Sequence, residues 1–273
     1  MMKIWILNLC LKAKIIILAI NKRINTKSKK LIMAFFSFLS FNFFVGWKLS
    51  ALILLTVFLH EFGHIQAMKK IGIKTKGFYF VPFFGGISVP EKCFSDYKSE
   101  SFVAIGGPLA GFVFSILAIL AYLIIQDPIF LGAAAFMLFV NLFNLLPLSA
   151  LDGGKALKSL AFSVNRGLGA TFLCANCAIC AWITFTGPNI FWLLAASALA
   201  EVGIMIYEIR LGRAASDDYS VAYRKQMNGK EKRFVLASYI GLASLLYLSL
   251  VWVENLPEFY TALESLGIRG MKI

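Results

Sequence analysis

The chain has 273 residues, of which 59% are hydrophobic, 15% aromatic and only 15% charged, a composition that excludes an ordinary soluble globular domain and points to lipid as the solvent. The formal charge of +13 does not argue for nucleic acid, because the lysines and arginines sit in short loops between apolar runs, where they orient a chain in a bilayer. The expected partner is therefore the lipid bilayer, with no nucleic acid.

In chain order, residues 1–30 read as an N-terminal segment. Its apolar run is divided by Lys12 and Lys14 and followed by the basic loop NKRINTKSKK. The segment fits an interfacial helix or an extra span equally, and it lacks the small-residue cleavage site of a removable signal peptide. Membrane spans are expected at 31–47, 49–68, 101–125, 129–148, 168–186, 189–207 and 234–253, each near the length an α-helix needs to cross the hydrocarbon. Trp47 to Ser50 reads as a short turn, and 155–167 as an amphipathic surface helix. The fold class is all-α, a polytopic membrane helix bundle of about six to eight spans over 31–253, followed by a short tail at 254–273. No linker, repeat or loop long enough for a further soluble domain is evident.

With the basic loop at 21–30 placed in the cytoplasm, each span reverses the chain. Five basic residues at 22–30, six lysines at 69–98, three basic residues at 155–166 and seven at 210–233 then share the inner side, while the outer side receives Lys48, Arg269 and Lys272. The bias predicts a multi-pass protein of the cell membrane with this orientation. The stretch FYFVPFFGGISVP at 78–90 is too short to cross and is broken by Pro82 and Gly85–Gly86, so it reads as a small re-entrant β-hairpin or as an interfacial loop.

Both histidines of the chain lie in HEFGH at 60–64, at the end of an apolar run. Positions i and i+4 of an α-helix project from one face, so His60 and His64 can hold one zinc ion and leave a position open for water. Zinc lowers the pKa of such a water to about 7, and Glu61, one residue along, can act as its general base during attack on a carbonyl. Ionisable groups this close to lipid are costly unless they serve a shared site. Zinc ordinarily takes a third protein ligand, and Asp152, in NLLPLSALDGG at 144–154, stands out among the five aspartates. The topology brings both motifs to the cytoplasmic side.

The pairing of HEFGH with Asn-x-x-Pro-x-x-x-Leu-Asp-Gly-Gly and with GGPLAG at 106–111 resembles the site-2 protease family of intramembrane metallopeptidases. The resemblance covers a catalytic core of about residues 49–160. It implies that His60, His64 and Asp152 bind one zinc ion, that Glu61 is the catalytic base, and that the substrate is a transmembrane protein or a signal-peptide remnant. In the family, Asn144 would bind substrate backbone or the developing oxyanion; as a structural residue it would bridge helices. The resemblance also supports the hairpin, whose edge would hold an unwound substrate by β-augmentation.

Other motif residues have physical readings of their own. Pro147 is expected to break or kink its helix, Gly153 and Gly154 to let the backbone turn tightly, and Lys155 to snorkel to the interface. GGPLAG reads as close helix packing. The CANCAIC run at 174–180 reads as small apolar packing. Glu201 and Glu208 are left outside the site, and the charged stretch at 210–233 reads as a solvated connector. The expected function is an intramembrane zinc metalloprotease acting near the cytoplasmic face. The rival is a membrane transporter or metal-binding protein that uses the same ligands without hydrolysis.

Overall fold

Gly46 separates the first two helices, α1 (Thr26–Val45) and α2 (Trp47–Lys70). It takes φ +80°, a left-handed conformation that glycine adopts without strain. The tight turn expected at Trp47–Ser50 therefore falls at Gly46: Ser50 N–H already donates to Gly46 O at 3.1 Å, and Trp47 to Ser50 form the first turn of α2. The computed structural model describes residues 26–81, 85–92, 94–149, 151–186 and 224–268. The N-terminal apolar run, the span expected at 189–207, and Glu201 and Glu208 lie outside them.

Lys69 and Lys70 end α2, where cations suit the helix dipole. The chain then forms the expected hairpin, slightly longer than read from sequence, with β1 (Thr75–Val81) antiparallel to β2 (Gly85–Pro90). Phe78 faces Ser88 and Tyr79 faces Ile87, with a bulge between Thr75 and Gly77. β2 packs on α2 and β1 on α1.

Two capped helices follow. In α3 (Tyr97–Ile125), Asp96 accepts the Ser99 N–H at 2.7 Å. In α4 (Pro128–Asn144), Asp127 accepts the Ile129 N–H at 2.9 Å and Pro128 opens the first turn. The span expected to reach residue 148 ends at Asn144. Pro147 has no N–H to continue the ladder and disfavours helical backbone at Leu146, so the chain leaves the helix just before it. The loop is held from two sides, because Leu145 O accepts Tyr239 Oη–H at 2.5 Å and Ser149 N–H donates to Asn176 Oδ1 at 2.8 Å. It leads into α5 (Asp152–Val164), α6 (Arg166–Thr186), α7 (Gly229–Glu254) and the short α8 (Phe259–Ser265). α5 is the expected amphipathic helix, and it starts at Asp152 itself.

Gly153 and Gly154 do not make the tight turn. Both lie inside α5, where closeness is the requirement: a Cβ at Gly153 would stand 2.7 Å from Leu146 O, and one at Gly154 2.6 Å from Ser149 N. α3 is the central element, packed on α2, α4, α5 and α7. The largest core cluster joins α4, α7 and α8 through Leu131, Leu138, Leu242, Leu246 and Ala262. Large apolar side chains such as Phe43, Ile124, Trp182 and Leu248 are exposed. Over so much surface this suits lipid, not water. Among the described residues four helices, α2, α3, α6 and α7, are long and apolar enough to cross a membrane, and α1 and α4 are shorter apolar helices. The protein is an integral membrane protein, and its described residues are mostly helical with one small sheet.

Candidate metal centre

His60 and His64 lie one turn apart on α2 and point inward against α3 and α4. Each imidazole is fixed through its Nδ1. His60 Nδ1–H donates to Asn141 Oδ1 at 2.8 Å, and the orientation of that amide is set by Asn141 Nδ2–H donating to Met137 O at 2.7 Å. His64 Nδ1–H donates to Val103 O at 2.8 Å. With both Nδ1 protons committed, both Nε2 atoms present lone pairs, the state a metal requires of histidine.

The two lone pairs meet a third donor. Asp152 Oδ2 lies 2.9 Å from His60 Nε2 and 3.0 Å from His64 Nε2, and the two nitrogens are 3.1 Å apart. Three acceptors aimed at one point repel one another, and one added proton can serve only one of the two imidazoles, so this donor set calls for a cation. The triangle fits zinc: tetrahedral bonds of about 2.0–2.1 Å place ligand atoms roughly 3.3 Å apart, a few tenths of an ångström more than observed. Among the described residues this is the only group of three possible ligands within reach of one ion. All four residues are buried, with exposures of 6% for His60, 8% for Glu61, 8% for His64 and 4% for Asp152.

Asp152 is steadied from the other side. Lys155 does not simply snorkel; its Nζ–H donates to Asp152 Oδ1 at 3.0 Å, which favours the ionised carboxylate and leaves Oδ2 for the imidazoles. GGPLAG provides close packing, as expected, and one of its glycines forms a wall of the site. A Cβ at Gly107 would stand 2.8 Å from His60 Nε2 and 2.6 Å from His64 Cε1; no larger residue fits without displacing the rings.

A cavity of about 260 Å³ opens beside the cluster, bordered by Glu61, His64, Asp152, Lys155, Glu100 and the β2 residues Gly86 to Ser88. The Glu61 carboxylate takes no hydrogen bond among the described residues. Glu100 clamps the elements at the mouth: its Oε2 accepts Arg224 and Ser159 Oγ–H, each at 2.7 Å, and Lys158 Nζ lies 3.7 Å from Oε1. The ion pair ties α3, which carries Val103, to α5, which carries Asp152.

The structure thus brings His60, His64, Glu61 and Asp152 together and leaves Asn144 apart. Asn144 Nδ2–H donates to Val140 O in its own helix at 2.9 Å, and the residue does not border the cavity. Cys174, Cys177 and Cys180 run along α6 without a disulfide among the described residues, outside the metal cluster. Asn141 was missed in the sequence, although a second asparagine one turn before Asn144 in an otherwise apolar helix is a readable signal. The Val103 carbonyl leaves none, since any residue offers one. Arg224 and Glu100 are 124 positions apart, and nothing local pairs them.

The ligand pattern on α2 and the glycines of α3 that back it lie in one stretch, and that stretch has known relatives. Residues 48–135 match the family model of Peptidase family M50. The chain is 28% identical over 130 residues to zinc metalloprotease MJ0392 of Methanocaldococcus jannaschii, covering 46% of this chain and 38% of the relative. It is 31% identical over 144 residues to stage IV sporulation protein FB of Bacillus subtilis, covering 50% of each. The chain thus spans half or less of the length of these relatives. The stretch that carries His60, Glu61, His64, Val103 and Gly107 is thus similar to peptidase family M50, the site-2 protease family.

Proposed function

We propose that this protein is a zinc-dependent endopeptidase that hydrolyses peptide bonds of membrane-anchored substrates, either transmembrane proteins or signal-peptide remnants, at a site near the cytoplasmic face. One observation carries the reading: two imidazole lone pairs and a carboxylate oxygen converge beside the unpartnered carboxylate of Glu61. A zinc ion held by His60, His64 and Asp152 would supply an activated water and polarise a substrate carbonyl. Glu61 takes the water's proton and returns it to the departing amine. Asn141 and Val103 O orient the imidazoles through their Nδ1 atoms, and Lys155 keeps Asp152 ionised. A helical substrate hides its carbonyls in intrahelical bonds, so it must unwind; β2, which borders the cavity, offers a strand edge for the unwound segment. Lys69, Lys70, Lys155 and Lys158 flank the site, which supports a cytoplasmic orientation.

The test is co-expression with candidate single-span proteins, comparing the wild type with Glu61→Gln. The wild type processes a candidate. The variant keeps its zinc and loses about a hundred- to ten-thousand-fold in rate, the usual contribution of a positioned base. If both forms hold metal and neither alters any candidate, the site serves metal binding or transport.

A further inference from the structure

A second concavity lies on the flank of the bundle, between α2, α3 and α7, and has no part in the metal centre. It measures about 700 Å³, and its wall is apolar, built from Phe62, Leu109, Val113, Phe234 and Leu245. All five are exposed, from 40% for Phe62 through 49% for Leu109 and Val113 to 65% for Phe234. Its charged border lies at one end, where Gln66, Lys70 and Lys98 line it, and Ser238 is the other polar residue of the wall. α2 finishes at this end and α3 begins there, so Lys70 and Lys98 form a cationic rim. The acids nearby are already engaged. Glu231 bonds Lys98 at 2.9 Å and closes the capping box of α7, Asp96 caps α3, and Glu100 is held by Arg224 and Lys158. Lys70 Nζ stands over the Phe102 ring at 5.7 Å, at the mouth of the slot.

We propose that the slot binds one anionic phospholipid, with an acyl chain along the apolar wall and the phosphate between Lys70 and Lys98. An apolar slot on a membrane-exposed flank fills with hydrocarbon, and hydrocarbon alone has no use for a cationic rim. Basic pockets between membrane helices select anionic headgroups over zwitterionic ones by charge. The Lys98–Glu231 pair does not oppose this. It is exposed and therefore weak, and an ammonium has three donors to share. Lys70 and Lys98 hold the phosphate, and Phe62, Leu109 and Val113 hold the chain.

The experiment uses the full-length protein in nanodiscs of mixed phosphatidylglycerol and phosphatidylcholine, followed by native mass spectrometry of the lipid retained. One phosphatidylglycerol stays bound in preference to phosphatidylcholine. Lys70→Gln with Lys98→Gln lowers its retention about thirty-fold, the factor two basic side chains contribute at an anionic membrane surface. Val113→Trp, which fills the slot from an exposed position, lowers retention while the helical content is unchanged. Lys74→Gln with Lys76→Gln, at the start of the hairpin, leaves it as in the wild type. Equal retention of phosphatidylcholine overturns the proposal, as does an equal loss in the hairpin control or no loss in the slot variants. A cross-link from Val113→Cys to the apolar stretch at 189–207 would also overturn it, by showing that the chain fills its own slot.

Discussion

Asn141 is fully buried in a helix whose other side chains, apart from Asn144, are apolar, a position that costs free energy unless each polar atom finds a partner. It finds two: Met137 O for its amide nitrogen and the His60 Nδ1–H for its oxygen. Its burial is thereby explained by the histidine it orients. Replacing such a partner typically weakens metal binding about ten- to hundred-fold, so Asn141→Ala should raise the zinc dissociation constant by that factor in chelator competition. An unchanged constant would reduce Asn141 to a packing residue. Asn144 lies one turn on in the same helix. Its amide donates to Val140 O in its own helix, and the rotation of α4 against α2 sets Asn141 toward the ring.

At the scale of the element, the hairpin and α2 form one functional unit, because β2 lies along the face of α2 that carries Glu61. A Cβ at Gly86 would come within 2.7 Å of Glu61 Cγ and 2.8 Å of Val57 Cγ1, so Gly86→Ala must push the strand off the helix. Cleavage should fall at least about ten-fold, as expected when a reacting segment is misplaced by roughly an ångström, while zinc stoichiometry stays at the wild-type value. Undiminished cleavage would separate the strand from substrate handling. The hairpin itself was readable from its Pro and Gly breaks and aromatic flanks. Its contact with the metal helix was not, since no local pattern records which helix a strand packs on.

At the scale of the whole molecule, the metal centre joins α2 to α5 across 88 residues. A ligand that binds only the folded state stabilises it by mass action, by about 4 kcal/mol at a thousand-fold excess over its dissociation constant. Chelation should therefore lower the thermal midpoint of the wild type by several degrees. It should leave Asp152→Asn, which has lost the joining ligand, nearly where it began. Equal shifts in both proteins would place the metal somewhere other than between the two helices. Alongside this tie, the Glu100 ion pairs and the Asn176 and Tyr239 contacts hold the loop that delivers Asp152, so the carboxylate is presented by a braced segment.

The sequence by itself determined that the chain lives in a membrane, where the four long helices of the described residues lie to within a few residues at their ends, and that His60, Glu61 and His64 share a helix face. These follow from composition, from 3.6-residue periodicity and from a motif five residues long, all of which are local. Only the tertiary structure decided that Asp152 reaches both imidazoles, that Asn141 and Val103 O orient them, and that Lys155 and Gly107 complete the pocket. It also decided why two glycines follow Asp152. Each of these depends on how helices far apart in the chain rotate and approach one another. That is settled by side-chain packing over whole interfaces and leaves no trace in any single stretch of sequence.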